Sequence, residues 1–281
     1  MAEMPETMKK AVLEKTVPST WEMRDERQVS SEITRRLSGI AKGLKIAVYG
    51  SFARNTHLKN EKDIDVFMLF NGSTGIKKME KIAISAGKKF FGKSCWLEYS
   101  EHPYVKGIYK GHIVEIVPGY NLRTTETLLS AVDRTPFHHR YLKKRLSPKL
   151  CNEIRLMKSF LKGIECYGAK VSVSGLSGYL TELLVLKYGS FEKTLKAIAK
   201  WSERETIEIE KGDKKHSGKF SHHLVVLDPT DKKRNTTALQ CEALLVEHCR
   251  NPFMHLFLLC ADNVNYPLHR QGHFNNCKIP F

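Results

Sequence analysis

The chain has 281 residues, enough to bury a sizeable core and to form two or three domains, and its 46 Lys plus Arg against 30 Asp plus Glu leave a formal charge of +16. Such a basic balance points to a polyanionic partner, for which RNA is the economical choice. The N-terminus lacks an apolar signal core and no stretch approaches about eighteen apolar residues, which excludes a secreted or membrane-spanning reading and predicts a soluble, cytoplasmic protein. Seven scattered cysteines, an odd number, suit reduced thiols rather than a disulfide framework.

In chain order, residues 6 to 16 and 19 to 38 read as two helices, with Pro18 at the break and Ser19 as N-cap. Strands follow at 45 to 49, 63 to 70, 94 to 99, 104 to 110 and 112 to 117, with helices near 51 to 58 and 75 to 89, which predicts a mixed sheet flanked by helices. Lys110-Gly111 reads as a tight hairpin turn. Beyond Asn121 the pattern turns helical, with Leu150, Ile154, Met157 and Leu161 at helical spacing and further helices at 177 to 188 and 191 to 201, divided by Gly189-Ser190. Thr206 to Glu210 alternates as a strand with 223 to 227 as its partner, and the linking Lys211, Lys214, Lys215 and Lys219 read as a hairpin tip able to touch phosphates. A helix near 236 to 250 closes the series.

The chemistry concentrates in Gly50-Ser51-Phe52-Ala53-Arg54 and, with eleven residues between Ser51 and the next motif, Asp63-Ile64-Asp65. On a strand, that i, i+2 spacing puts both carboxylates on one face. Side by side they repel each other unless a cation intervenes, which predicts a Mg²⁺ site. A Gly-Ser turn ahead of a helix offers N–H groups and a hydroxyl to phosphate oxygens. Glu115 sits on an alternating strand of its own, and pairing beside the Asp63/Asp65 strand would bring three carboxylates together, enough for two metals. A late cluster, Cys249, His255, Cys260, His269, His273 and Cys277, has partial zinc-ligand spacing, but Pro267 and Gly272 oppose a regular helix and no Cys-x-x-Cys pair anchors it.

Gly50 to Thr56 with Asp63-Ile64-Asp65-Val66-Phe67 resembles the polymerase-beta-type nucleotidyltransferase superfamily. Glu101 to Val105, Ser130 to His139 and Asp228 to Asn235 are similar, in order, to the archaeal-type CCA-adding enzyme. The resemblance implies an α+β fold: a nucleotidyltransferase head at 1–143, a helical nucleotide-binding neck at 144–202, a partial body domain with hairpin and helix at 203–250, and a divergent segment at 251–281 without the family's C-terminal tail. It implies template-free addition of CMP, CMP and AMP to a tRNA lacking its 3′ CCA, with CTP and ATP as donors and Mg²⁺ as cofactor. The metal ligands would be Asp63, Asp65 and Glu115, and the nucleotide contacts Gly50, Ser51, Arg54, Thr135, His138, Lys158 and Tyr167. Arg234 would read the base and approach RNA. Two departures stand out: Glu115 replaces the family's usual Asp, and Ser174 replaces a basic residue. The rival readings are an A-adding or small-acceptor nucleotidyltransferase of the same superfamily and a non-catalytic RNA-binding protein.

Overall fold

The computed structural model describes residues 4–59, 61, 63–168, 175–202, 205–211, 220, 224–237 and 242–250. It opens with helices α1 (Glu6–Thr16) and α2 (Thr20–Ile40), and the α2 start is fixed by its own residues. Ser19 accepts a hydrogen bond from the Glu22 amide while the Glu22 carboxylate accepts one from the Ser19 amide, which satisfies two donors that a helix start leaves open.

Strands β1 (Lys45–Tyr49), β2 (Asp63–Phe70), β3 (Cys95–Tyr99), β4 (Pro103–Tyr109) and β5 (His112–Tyr120) form one sheet in the order β1-β2-β5-β4-β3. Only the β2–β5 pair is parallel; the other three pairs are antiparallel. Alternation decides which face is buried. Ile64, Val66, Met68, Val114 and Ile116 point toward α2 and α4 (Ile76–Phe91), where Ile33, Leu37, Met79 and Phe90 complete the core. On the opposite face Tyr49, Phe67 and Leu69 pack with Ala47, Val117 and Val132, so that face is covered at one end. Lys110 and Gly111 both have positive φ (49° and 77°), as a primed two-residue hairpin turn requires.

Two 3₁₀ turns, Thr125–Thr127 and Ala131–Arg134, lead into α5 (Thr135–Lys143). Helices α6 (Pro148–Gly163), α7 (Gly178–Tyr188) and α8 (Phe191–Ile198) follow, each capped by a serine: Ser147, Ser177 and Ser190. They build a second core from Ile154, Met157, Leu161, Leu180, Leu184, Phe191 and Leu195, which Met4 and Val12 at the start of the chain also join.

The segment after Trp201 corrects one expectation. Strand β6 (Glu205–Ile207) lies parallel to β7 (Leu224–Asp228), with Glu205 opposite Leu224, so the two do not form a hairpin. A tight two-residue turn cannot join a parallel pair. Lys214, Lys215 and Lys219 lie outside the described residues. The hairpin partner of β7 is β8 (Asp231–Asn235), joined through Pro229-Thr230. All five β7 residues are buried in the middle of a three-stranded sheet, a position that demands a partner on each side. Helix α9 (Glu242–Arg250) seats Leu245 and Cys249 in the second core. Beyond Cys249, the Cys/His cluster falls outside the described residues, as does Ser174.

Candidate active site

The sheet register assembles the acids. Asp65 on β2 stands opposite Glu115 on β5, with Tyr49 on its other side, Lys106 beyond Glu115 and Trp96 beyond Lys106. One row, Tyr49–Asp65–Glu115–Lys106–Trp96, therefore crosses all five strands on a single face, and Asp63 lies two residues along β2 on that same face. Burial and the neighbouring Glu115 and Asp63 push the Asp65 carboxyl up to about 7, and burial also raises Asp63. Arg54 and Lys106 act in the opposite direction without cancelling the effect.

Gly50 explains why the turn before α3 (Gly50–Arg54) carries glycine. Its φ is +73°, and a Cβ built there would stand 1.8 Å from Asp65 Oδ2, so the acid lies directly over the turn. Asn55 ends α3 in the left-handed region at φ 58°, four residues short of the expected helix end.

The other expected site residues fall into two groups. Arg54 Nε donates to Glu182 Oε2 at 2.8 Å, the Thr56 hydroxyl donates to Glu182 Oε1, and Lys158 Nζ donates to the Thr56 carbonyl at 2.9 Å while standing 3.8 Å from Glu182. Glu182 and Lys158 are fully buried. Burial pushes the Glu182 carboxyl up, but Arg54, Lys158 and the Thr56 hydroxyl outweigh it and hold it below the usual range. Tyr167 lies close by, its hydroxyl 3.0 Å from where a Cβ on Gly178 would be.

The second group gathers on Asp228, at the end of β7. His138 Nε2 lies 2.7 Å from Asp228 Oδ2, Arg234 donates to the same oxygen at 2.9 Å, and the Tyr179 hydroxyl donates to Oδ1 at 3.0 Å. The Thr230 amide and hydroxyl also donate to Oδ1. The His138 ring stacks on Tyr179 at 3.8 Å between centroids. Burial opposes charge on Asp228, yet these donors hold its carboxyl well below the usual carboxylate range. Thr135 opens α5 half-buried, and His139, beside His138, packs on the Tyr49 ring and is driven down to about 4, chiefly by burial.

Sequence reasoning singled out neither Glu182 nor Lys106. A signal for Glu182 existed: an acid in Leu180-Thr181-Glu182-Leu183-Leu184, a run that must be buried, requires cationic partners. Lys106 carried no such signal, because only the β3–β4–β5 register brings it to Glu115.

An acidic pair on a central strand beside a Gly-Ser turn, on a mixed sheet backed by two helices, defines a polymerase-beta-type nucleotidyltransferase fold. Residues 28–138 match the nucleotidyltransferase domain family, and residues 152–254 match the second domain of tRNA nucleotidyltransferases. Archaeal CCA-adding enzymes are among the proteins this chain is similar to. It is 42% identical to the CCA-adding enzyme of Archaeoglobus fulgidus and 39% identical to that of Methanocaldococcus jannaschii, in matches that take in 87% and 83% of this chain. The chain spans about half the length of the curated relatives it matches, 55% in both cases. Among solved structures, the Cid1 poly(U) polymerase aligns with a TM-score of 0.68 at 16% identity, over 95% of this chain and 98% of that one. An ATP complex of CdnC from E. coli MS115-1 aligns with a TM-score of 0.65 at 18% identity, over 87% and 88%. These two likenesses concern the fold.

Nucleotidyltransferases of this superfamily normally use divalent metal ions. The acid row suits such an ion: its donors are hard oxygens, and burial together with the neighbouring Glu115 and Asp63 raises the Asp65 carboxyl, an effect that a bound cation would reverse. Among the described residues, however, no three His, Cys, Asp or Glu side chains form a ready-made metal cage. No helix among them is long and apolar enough to cross a membrane.

Proposed function

We propose that the protein adds CMP, CMP and AMP, in that order, to the 3′ end of a tRNA lacking CCA, using CTP and ATP. The observation that carries this reading is the acid row: Asp63 and Asp65 on one strand face, Glu115 in register beside Asp65, and Asp65 lying over the Gly50 turn. In this reading residues 1–143 are the catalytic head, 144–202 the nucleotide-binding neck and 203–250 the body.

Asp63 and Asp65, joined by Glu115, would hold Mg²⁺. The bound cation supplies charge neutralisation for the triphosphate and a lowered pKa for the attacking hydroxyl. The chain's own residues do the remaining work. Gly50 and Ser51 present N–H and hydroxyl donors to the phosphates, Arg54, Thr135, His138 and Tyr167 line the triphosphate and sugar, and the fully buried Lys158 acts behind them by bracing the Thr56 carbonyl and Glu182. Glu182 orients Arg54 through its 2.8 Å hydrogen bond. Arg234 is anchored at one nitrogen by Asp228 and keeps further guanidinium donors for a base edge, while its side chain remains 35% exposed. A pocket that pairs polar groups rejects bases that leave them unpaired, which gives selection without a nucleic-acid template.

The test is single-turnover addition of each of the four labelled NTPs to a tRNA lacking CCA, with wild type and Arg234→Ala. The wild type should incorporate CTP and ATP only, in order, and Arg234→Ala should lose preference as well as rate. Runs of one nucleotide would favour the A-adding alternative, and absence of transfer would favour an RNA-binding role. If the variant slows all four NTPs equally, Arg234 positions RNA or phosphate and does not read the base.

A further inference from the structure

Glu115 has two in-register neighbours of opposite charge, Asp65 on β2 and Lys106 on β4. Lys106 Nζ stands 2.8 Å from Glu115 Oε1, the distance of a charge-assisted hydrogen bond. The same ammonium lies 3.8 Å from Glu98 on β3, and Glu98 is fixed by the Trp96 indole N–H at 3.0 Å and the Tyr104 hydroxyl at 2.8 Å. Lys106 is thus held over the row from both flanking strands. Antiparallel partners hold their Cβ atoms roughly 4.5–5.5 Å apart, and the reach of the Glu115 side chain closes the remaining gap to the ammonium.

An ammonium and a divalent cation compete for the same carboxylate oxygens. Building on the nucleotidyl-transfer reading, we propose that Lys106 is a positioning residue that keeps Glu115 ion-paired until a divalent cation takes Glu115 over. Cation binding then splits into a tight class on Asp63 and Asp65 and a weaker class that depends on Glu115 leaving Lys106.

The probe is Mn²⁺ alone, titrated into the full chain and followed by the electron paramagnetic resonance of free Mn²⁺. The variants are Lys106→Met, Lys106→Arg, Glu115→Gln and Lys106→Met combined with Glu115→Gln. Methionine keeps most of the apolar stem, and circular dichroism checks that each variant is folded. Lys106→Met should tighten the weaker class about tenfold, since one charged hydrogen bond no longer competes. Lys106→Arg should stay close to wild type, and in the Glu115→Gln background Lys106→Met should have no effect. Equal tightening in both backgrounds overturns the proposal, because Lys106 would then act as a through-space charge. Unchanged or weakened binding in Lys106→Met also overturns it. Asp65→Asn separates the two ideas: if it leaves all Mn²⁺ binding intact, the nucleotidyl-transfer reading has failed, whatever Lys106 does. Absence of any Mn²⁺ binding by the wild type removes both.

Discussion

The acids of this protein come in two kinds of surroundings. On the sheet face Asp65 has Glu115 and Asp63 as neighbours, and its carboxyl rises to about 7. Asp228, at the end of β7, collects donors from His138, Arg234, Tyr179 and Thr230 and stays well below the ordinary range. Glu182 resembles Asp228, since Arg54, Thr56 and Lys158 surround it. Asp228 and Glu182 are both fully buried, so desolvation alone does not separate them from Asp65. The number of donors does: an acid satisfied by the protein fastens elements together, while an acid left unsatisfied awaits a cation from solution.

The contrast breaks first at Asp65. Asp65→Ala should lower nucleotide addition by about a thousandfold, roughly 4 kcal/mol of barrier, while the chain stays folded. Turnover close to wild type would remove Asp65 from the site. Stability should carry the same signature. Without a cation, folded Asp65 takes up its proton near pH 7, whereas an unfolded aspartate does so near about 4. Between those values the folded state binds the extra proton, so its stability falls as pH rises from about 4 to about 7. Denaturant unfolding of wild type and Asp65→Ala across that range should show the slope only in wild type, and added Mg²⁺ should flatten it.

Glu182→Gln tests the fastening kind. It leaves Lys158 and Arg54 buried without their counter-charge, and breaking a buried pair from one side costs about 3–5 kcal/mol. Urea unfolding should show a loss of that size, and a loss below about 1 kcal/mol would mean that Arg54 and Lys158 find other partners.

Asp228→Asn should cost less, about 1–3 kcal/mol, because the amide oxygen can still accept from Tyr179 or Thr230. Its pH dependence has the opposite sign to that of Asp65. A carboxyl held low in the fold contributes stability that is fully present above about pH 4 and is lost as pH falls through its lowered folded value. The gap between wild type and Asp228→Asn should therefore narrow below pH 4, and a gap that does not change with pH would show that Asp228 acts through packing.

The local elements were legible in the sequence because local rules make them. Ser19 before a helical pattern, the apolar run at 63–70 and Gly-Ser before α8 each lead to the element observed. The shared face of Asp63 and Asp65 follows from the strand period alone. Position 115 could be placed on a strand, but its register beside Asp65 required the sheet itself. Of the alternating run at 206–210 only Thr206 and Ile207 lie in strand β6, and the pattern did not give the partner's direction, so a parallel pair was read as a hairpin. Alternation reports which residues face inward; it says nothing of which strand lies alongside or how it runs.

By itself, then, the sequence determined most of the secondary elements, though not strand β8, together with the glycine turn under an acid-bearing strand, the strong positive charge and the motif order resembling CCA-adding enzymes. Only the tertiary structure decided that Lys106 meets Glu115 at 2.8 Å, that Glu182 holds Arg54, and that Asp228 gathers His138, Tyr179 and Arg234. Those partners lie from 6 residues apart, for Asp228 and Arg234, to 128 apart, for Arg54 and Glu182. Charge pairing over such separations is fixed by strand register and helix packing, which no local periodicity encodes.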